Sequence, residues 1–217
     1  MFVGHLSIGL IGKRAEPGIS LGTWLLAVML ADLICFPLLI AGVEYFHGAL
    51  GHIPYSHSLL TNVIWGALFA AGYCLLRRYP RGAWLLFAGV LSHWVLDVIS
   101  HRPDMQLSPG ISNVWGLGLW NSVPGTLIVE GGFWLLAIIV YVRAAHPKTR
   151  ASHFAFWVGI ALLTLLWYGN IRRGMDPDPV RAGVGGLILF SLVVAWGYWM
   201  NARRRLPDPE PNRHRLR

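Results

Sequence analysis

Six apolar segments, at approximately 21–45, 57–76, 83–100, 126–142, 154–171 and 182–200, set the main constraint on this chain. Each is long enough to cross a hydrocarbon core of about 30 Å. In lipid the backbone polar groups have no water to bond, so runs of this length must close their hydrogen bonds internally as helices. Composition agrees: 55% of the 217 residues are hydrophobic and 13% charged, where soluble domains carry about 25% charged residues. Eleven Trp and seven Tyr suit a protein with many bilayer interfaces, where amphipathic rings collect. The pattern predicts an all-α fold, a polytopic membrane bundle of about six transmembrane helices plus a short N-terminal half-depth helix. Residues 1–200 are expected to form one transmembrane domain. The Pro- and Arg-rich stretch 201–217 is expected to be a disordered basic tail.

The net charge of +8 raises the question of nucleic acid or anionic lipid. The basic residues, however, fall in short clusters between apolar runs, such as RRYPR at 77–81 and VRAAHPKTR at 142–150, which argues against nucleic acid. Counted by alternate loops, one side holds Lys13, Arg14, Arg77, Arg78, Arg81, Arg143, Lys148, Arg150 and six tail arginines. The other holds only Arg102, Arg172, Arg173 and Arg181. This asymmetry predicts both ends to be cytoplasmic. Cys35 and Cys74 lie inside apolar stretches and read as small core residues. Lys13 and Arg14 follow rather than precede the first apolar stretch, MFVGHLSIGLIG, so no cleavable signal peptide is expected.

Within or beside these segments sits a chemically uniform set: His5, Asp32, His57, His93, Asp97, His101 and Glu130, with Glu44 at the outer end of the first span. Ionisable groups at membrane depth are costly and mark function or a specific partner. His93, Asp97 and His101 are four apart, so a helix would project all three to one side. A rise of 1.5 Å per residue from the cytoplasmic ends puts His5 at about 12 Å, Asp32 at about 16 Å and His93 at about 15 Å. The same count gives about 21 Å for Asp97 and about 20 Å for Glu130, but about 30 Å for His57. His57 therefore needs a tilted second span or a site open to the outside. No Lys or Arg inside the spans neutralises the acids, and a divalent cation would. Mixed nitrogen and oxygen ligation suits zinc first, then manganese or iron(II), over calcium. His101 falls near the outer interface, as a ligand, an acid/base or a solvated helix end. Glu44 is expected to be solvated.

A second constellation is GHIPYSHSLL at 51–60, where His52 and His57 flank a Pro-containing turn. Ser56 or Ser58 would cap the following helix, with His57 in its first turn. The Gly/Pro-rich stretches 101–110 and 116–125, with Trp115 and Trp120, read as an outer loop. That loop is either an interfacial turn or a lip over the site, with Arg102 available to an anionic head group.

GHIPYSHS at 51–58 and LSHWVLD at 91–97 resemble the YdjM-like family of inner-membrane metal-dependent hydrolases. That family has an N-terminal His, an Asp in the first span, a G-H-x-x-x-[ST]-H-S motif and an S-H-x-x-x-D motif. Here they fall on His5, Asp32, His52 with His57 and Ser58, and Ser92-His93 with Asp97. A later glutamate of the family has its counterpart in Glu130. The ligand order is also similar to that of the zinc-dependent phospholipase C and P1 nuclease group. The resemblance covers about residues 1–130. Two departures stand out: the first-span Asp-x-Asp is here Asp32-Leu33-Ile34, and G-H-R-G is Gly51-His52-Ile53-Pro54.

These readings imply a membrane-embedded hydrolase with His5, Asp32, His57, His93 and Asp97 as metal ligands. His101 and Glu130 would be the acid/base groups, and a metal-activated water would attack an ester or phosphoester. Placement among Trp-rich outer loops points to a membrane lipid or amphipathic substrate. The alternatives are a metal or proton transporter using the same residues, a haem protein with paired His ligands, and a scaffold in which polar residues glue helices together. For transport, the sequence lacks paired Gly/Pro-broken spans.

Overall fold

The computed structural model describes residues 1–47, 50–173 and 178–206. Among them the helices are α1 (Phe2–Ala15), α2 (Leu21–Val28), α3 (Leu30–Ile40), α4 (Pro54–His57) and α5 (Leu59–Arg77). They continue as α6 (Pro80–Ser100), α7 (Val123–Ala144), α8 (Arg150–Arg173) and α9 (Pro179–Arg203). Strand content is confined to three two-stranded antiparallel pairs. The expected all-α membrane bundle is the observed one. Five helices, α5 to α9, are long and apolar enough to cross a membrane alone, and the α2–α3 pair makes a sixth, broken span.

Local chemistry explains where these helices begin. Ser20, Ser58 and Ser122 accept from the backbone N–H of Thr23, Thr61 and Gly125, capping α2, α5 and α7. Asp178 caps α9 in the same way. Proline opens α4, α6, α7 and α9 in the first turn, where its missing N–H costs nothing. Arg78 adopts a left-handed conformation at φ 49° and ends α5 two residues before Pro80, giving a tight hairpin of α5 on α6.

Large apolar side chains cover the outside of the bundle: Leu75 is 81% and Ile128 74% exposed. In water such a surface would be a liability, but in a bilayer it faces lipid. The interior is built around α1. Val3, Leu6 and Leu10 join Leu21, Leu25, Val28, Trp134, Tyr141 and Phe190 in the main core. Helix α1 contacts α2, α6, α7 and α8, so a segment too short to span is enclosed on all sides, as an apolar helix must be. Its small residues allow close approach: a Cβ at Gly12 would lie 2.7 Å from the Trp24 ring.

Two spans differ from expectation. The first, expected as one run over 21–45, bends by 54° at Met29 and ends at Ile40. Tyr45–His47 (β1) then pairs antiparallel with Leu50–His52 (β2). The last extends beyond 200: α9 runs to Arg203, and Arg204–Arg205 pair with His146–Pro147. The buried Arg204 donates to the carbonyl of Ala145. The rest of the expected tail, 207–217, lies outside the described residues.

The turns expected on one side do gather at one end of the bundle. Arg81 pairs with Glu16 at 3.2 Å, Leu21 N–H donates to Asn201, and Lys148 donates to Ala202. At the same end Lys13 donates to the carbonyls of Pro17 and Ile19, and its burial pulls its pKa down to about 8.

Helix α9 seats on α3 through glycines. A Cβ at Gly183 would fall 2.9 Å from the Phe36 carbonyl oxygen, whereas at Gly185 nothing lies within 4 Å. Gly183→Ala is expected to destabilise the bundle by about 1–3 kcal/mol through overpacking. Gly185→Ala should stabilise it by about 0.5–1 kcal/mol as a better helix former. Thermal unfolding in detergent checks both.

Candidate metal centre

Four separate elements deliver the site. Helix α6 presents His93 and Asp97 one turn apart on its buried side, with His93 Nε2 3.1 Å from Asp97 Oδ2. The other nitrogen of His93, Nδ1, lies 2.8 Å from the carbonyl oxygen of Val28. Val28 is the last residue of α2, where helix carbonyls lack intrahelical partners. A side chain entering the ladder at such a point is a recognised cause of a sharp bend. No Gly or Pro lies between 23 and 36, so nothing local announced the break.

The break starts a new helix just before Asp32, which sits in the first turn of α3, where the helix dipole favours a carboxylate. Its Oδ1 is 3.4 Å from His57 Nε2 and its Oδ2 3.8 Å from His93 Nε2. The short α4 carries His57. It packs on α3 and turns the chain inward before α5 starts at Leu59, which brings His57 Nε2 to 3.3 Å from His93 Nε2. A separate inward-folded turn, rather than a tilted second span, thus accounts for its apparent excess height.

Helix α1 supplies His5. Its ring stacks on His93 at 3.8 Å and 4°, and its Nε2 is 3.1 Å from Asp97 Oδ1. The Met1 amino group also donates to Asp97 Oδ1 and lies 3.0 Å from His5 Nε2. Among the described residues no Lys or Arg pairs with Asp32 or Asp97. Two overlapping triads have donor atoms all within 4.8 Å of one another: His5, Asp32 and His93, and His57, His93 and Asp97.

The fit to a cation is physical. A carbonyl can only accept, so Val28 fixes the proton of His93 on Nδ1 and turns Nε2 inward toward His57 and two carboxylates. Lone pairs and carboxylates crowded at such separations require a proton or a metal ion between them. The Met1 amino group compensates Asp97, but Asp32 faces only imidazoles, and a carboxylate enclosed without compensation costs several kcal/mol. Five donor groups drawn only from His and Asp, one metal-coordinating atom each, match the chemistry of a nitrogen/oxygen site.

Other expected residues lie around this centre. His101 is not on the helix: it is the C-cap of α6, in extended conformation. Its Nε2 still comes within 3.9 Å of Asp97 Oδ1, while Nδ1 is 3.2 Å from Asp104 and its ring lies 4.6 Å from that of Trp120. Glu130 belongs to neither triad. Its Oε1 accepts from Gly4 N–H at 3.1 Å, capping α1 from α7, and Oε2 has no partner among the described residues. Ser58 caps α5, as expected.

His52 and Arg102 lie outside both triads. His52 is exposed and stacks on Tyr45 at 4.8 Å, because the β1–β2 hairpin ends before Pro54 turns the chain inward. Arg102 is also exposed, held by Asn121 at 2.6 Å. The outer loop that carries it is tied over the site by Leu60 N–H to Leu107 O and Gly118 N–H to His101 O. His57 lines a narrow cleft there with Ile53, Pro54, Asp104, Met105 and Gln106.

The family model for the YdjM inner membrane protein matches residues 1–174. The chain belongs to the YdjM inner membrane protein family. The match takes in every residue of the two triads and extends beyond the expected 1–130 through α8. No curated protein and no solved structure matches the chain significantly.

Two residues near the site were missed. Glu44, expected to be solvated, is fully buried. It accepts from the N–H groups of Tyr55 and Ser56 at 2.8 and 2.9 Å and from the Ser56 hydroxyl at 2.6 Å. Ser56 Oγ lies 2.6 Å from His57 Nδ1. Only the hairpin reversal brings Glu44 back over α4, and no local spacing shows that.

Removing the Glu130 acceptor would leave the Gly4 N–H unpaired in the interior. Glu130→Ala is expected to cost about 1–3 kcal/mol of stability. Glu130→Gln keeps an acceptor and should cost less than half as much in the same thermal assay.

Proposed function

We propose that this YdjM family member is a membrane-embedded metal-dependent hydrolase acting on an ester or phosphoester of a lipid or amphipathic substrate. The observation that carries the reading is the convergence of His5, Asp32, His57, His93 and Asp97 from α1, α3, α4 and α6, with donor atoms in triads within 4.8 Å and no Lys or Arg partner among the described residues. These five residues would hold the ion, zinc first, with manganese or iron(II) as alternatives. When bound, such an ion supplies a Lewis acid and an activated water.

The chain's own residues do the rest. Asp32 is the least covered donor, its side chain 21% exposed against 2% for Asp97, so substrate approaches from its side or from the outer loop above His57. His101, held by Asp104 through Nδ1 and 3.9 Å from Asp97 through Nε2, would move a proton during ester cleavage. Glu130 is engaged at Gly4 and serves the shape of the site. The Trp-lined outer loop favours a substrate anchored in the membrane, with Arg102 at its rim. The basic end of the bundle, with Lys13, Arg14 and the end of α9, would face the cytoplasm, following the distribution of lysine and arginine.

One observation favours transport as the second reading: the first span is broken beside the site, and broken spans frame many transporter sites. Elemental analysis of detergent-purified protein separates the readings when paired with activity. Stoichiometric zinc, manganese or iron in wild type, lost in His93→Ala and Asp97→Ala, with hydrolysis of lipid or generic phosphodiester substrates, is the expected result. Absence of metal from wild type would sink the hydrolase reading as stated. Bound metal with flux in liposomes and no hydrolysis would favour transport.

A further inference from the structure

We infer that Glu44 and Ser56 are positioning residues that set the tautomer of His57 and aim its Nε2 into the metal centre. The inference rests on the metal-binding reading above and adds the device that prepares one of the ligands.

Glu44, Ser56 and the His57 ring form one continuous chain. Glu44 Oε1 is occupied by two backbone N–H groups, and Oε2 receives the Ser56 hydroxyl at 2.6 Å. That distance lies in the range of a charge-assisted O–H···O⁻ bond. A hydroxyl has a single proton. With that proton given to Glu44, Ser56 Oγ can only accept from the ring nitrogen 2.6 Å away, His57 Nδ1. The neutral ring then carries its proton on Nδ1 and turns a lone pair on Nε2 toward Asp32 Oδ1 at 3.4 Å, His93 Nε2 at 3.3 Å and Asp97 Oδ2 at 3.8 Å.

His93 is prepared by the same logic with a different acceptor, the Val28 carbonyl. The two imidazoles that face each other across the centre are thus each pinned at Nδ1 by an oxygen on the far side. Outer partners of this kind fix ring orientation and raise ligand basicity. Glu44 also caps α4, and that role alone would be satisfied by Oε1. The bond from Oε2 to the Ser56 hydroxyl is what capping does not need. Asn62, which donates to the carbonyls of Ser56 and Ser58 at 3.1 and 3.0 Å, holds the backbone of the relay from α5.

The relay makes an unusual prediction for Glu44→Gln. The new amide can still accept from the two backbone N–H groups, but its NH2 then donates to Ser56 Oγ. The serine proton then turns to His57 Nδ1 at 2.6 Å, in preference to the Ile53 carbonyl at 3.5 Å, which moves the ring proton to Nε2, into the metal position. Ser56→Ala cuts the link without reversing it, and Ser56→Thr restores the hydroxyl.

The test is ¹⁵N NMR of histidine-labelled, metal-free protein at alkaline pH, with zinc affinity measured by chelator competition. The expected result is an Nδ1–H His57 in wild type and an Nε2–H ring in Glu44→Gln, with zinc affinity lowered about 10–100-fold. Ser56→Ala should lose less, Ser56→Thr should recover wild-type affinity, and unfolding temperatures should not track these changes. Unchanged tautomer and affinity in Glu44→Gln and Ser56→Ala would overturn the relay. If wild type binds no metal, the metal reading fails separately, and the tautomer measurement alone decides whether Glu44 sets His57.

Discussion

The bond from His93 Nδ1 to the carbonyl of Val28 is where fold and site meet. It joins the middle of α6 to the break in the first span. The break turns α3 so that Asp32 lies in a helix first turn, facing the other nitrogen of the same imidazole. One side chain therefore both accompanies a 54° bend and faces Asp32, which the bend brings in. His5 stacks on the face of the same ring, so α1 packs against the same residue.

Enclosing a polar cluster in a bilayer is costly, and the surrounding elements make that cost bearable. The buried carboxylates each find partners: Asp97 the Met1 amino group and two imidazoles, Glu130 the Gly4 N–H, and Glu44 two backbone amides and a hydroxyl. Five spanning helices and the broken pair give this interior a lipid-facing apolar coat. The candidate metal centre sits beside the break in the first span, and irregular backbone at membrane depth is tolerated only when it is buried in protein or lines a cavity.

Much of this was legible in the sequence because membrane physics writes plainly. The length of the apolar runs gave the spans, and the i, i+4 spacing put His93 and Asp97 on one side of α6. Depth counting brought His5, Asp32, His93 and Asp97 to similar levels without any contact information. What stayed hidden depends on long-range bonds. The bend at Met29 has no Gly or Pro, so only a partner 65 residues away, His93, reveals it. Glu44 looked like a solvated helix end because its real neighbours, Tyr55 and Ser56, arrive through a hairpin reversal. His52 shares a continuous motif with His57, yet the turn at Ile53-Pro54 separates them.

The most direct test of the central claim is X-ray absorption at the metal edge of purified, metal-loaded protein. The account predicts a first shell of nitrogen and oxygen only, at about 2.0–2.2 Å for zinc, with imidazole scattering from more than one histidine. A sulfur shell near about 2.3 Å, or a metal surrounded by water oxygens alone, would contradict it.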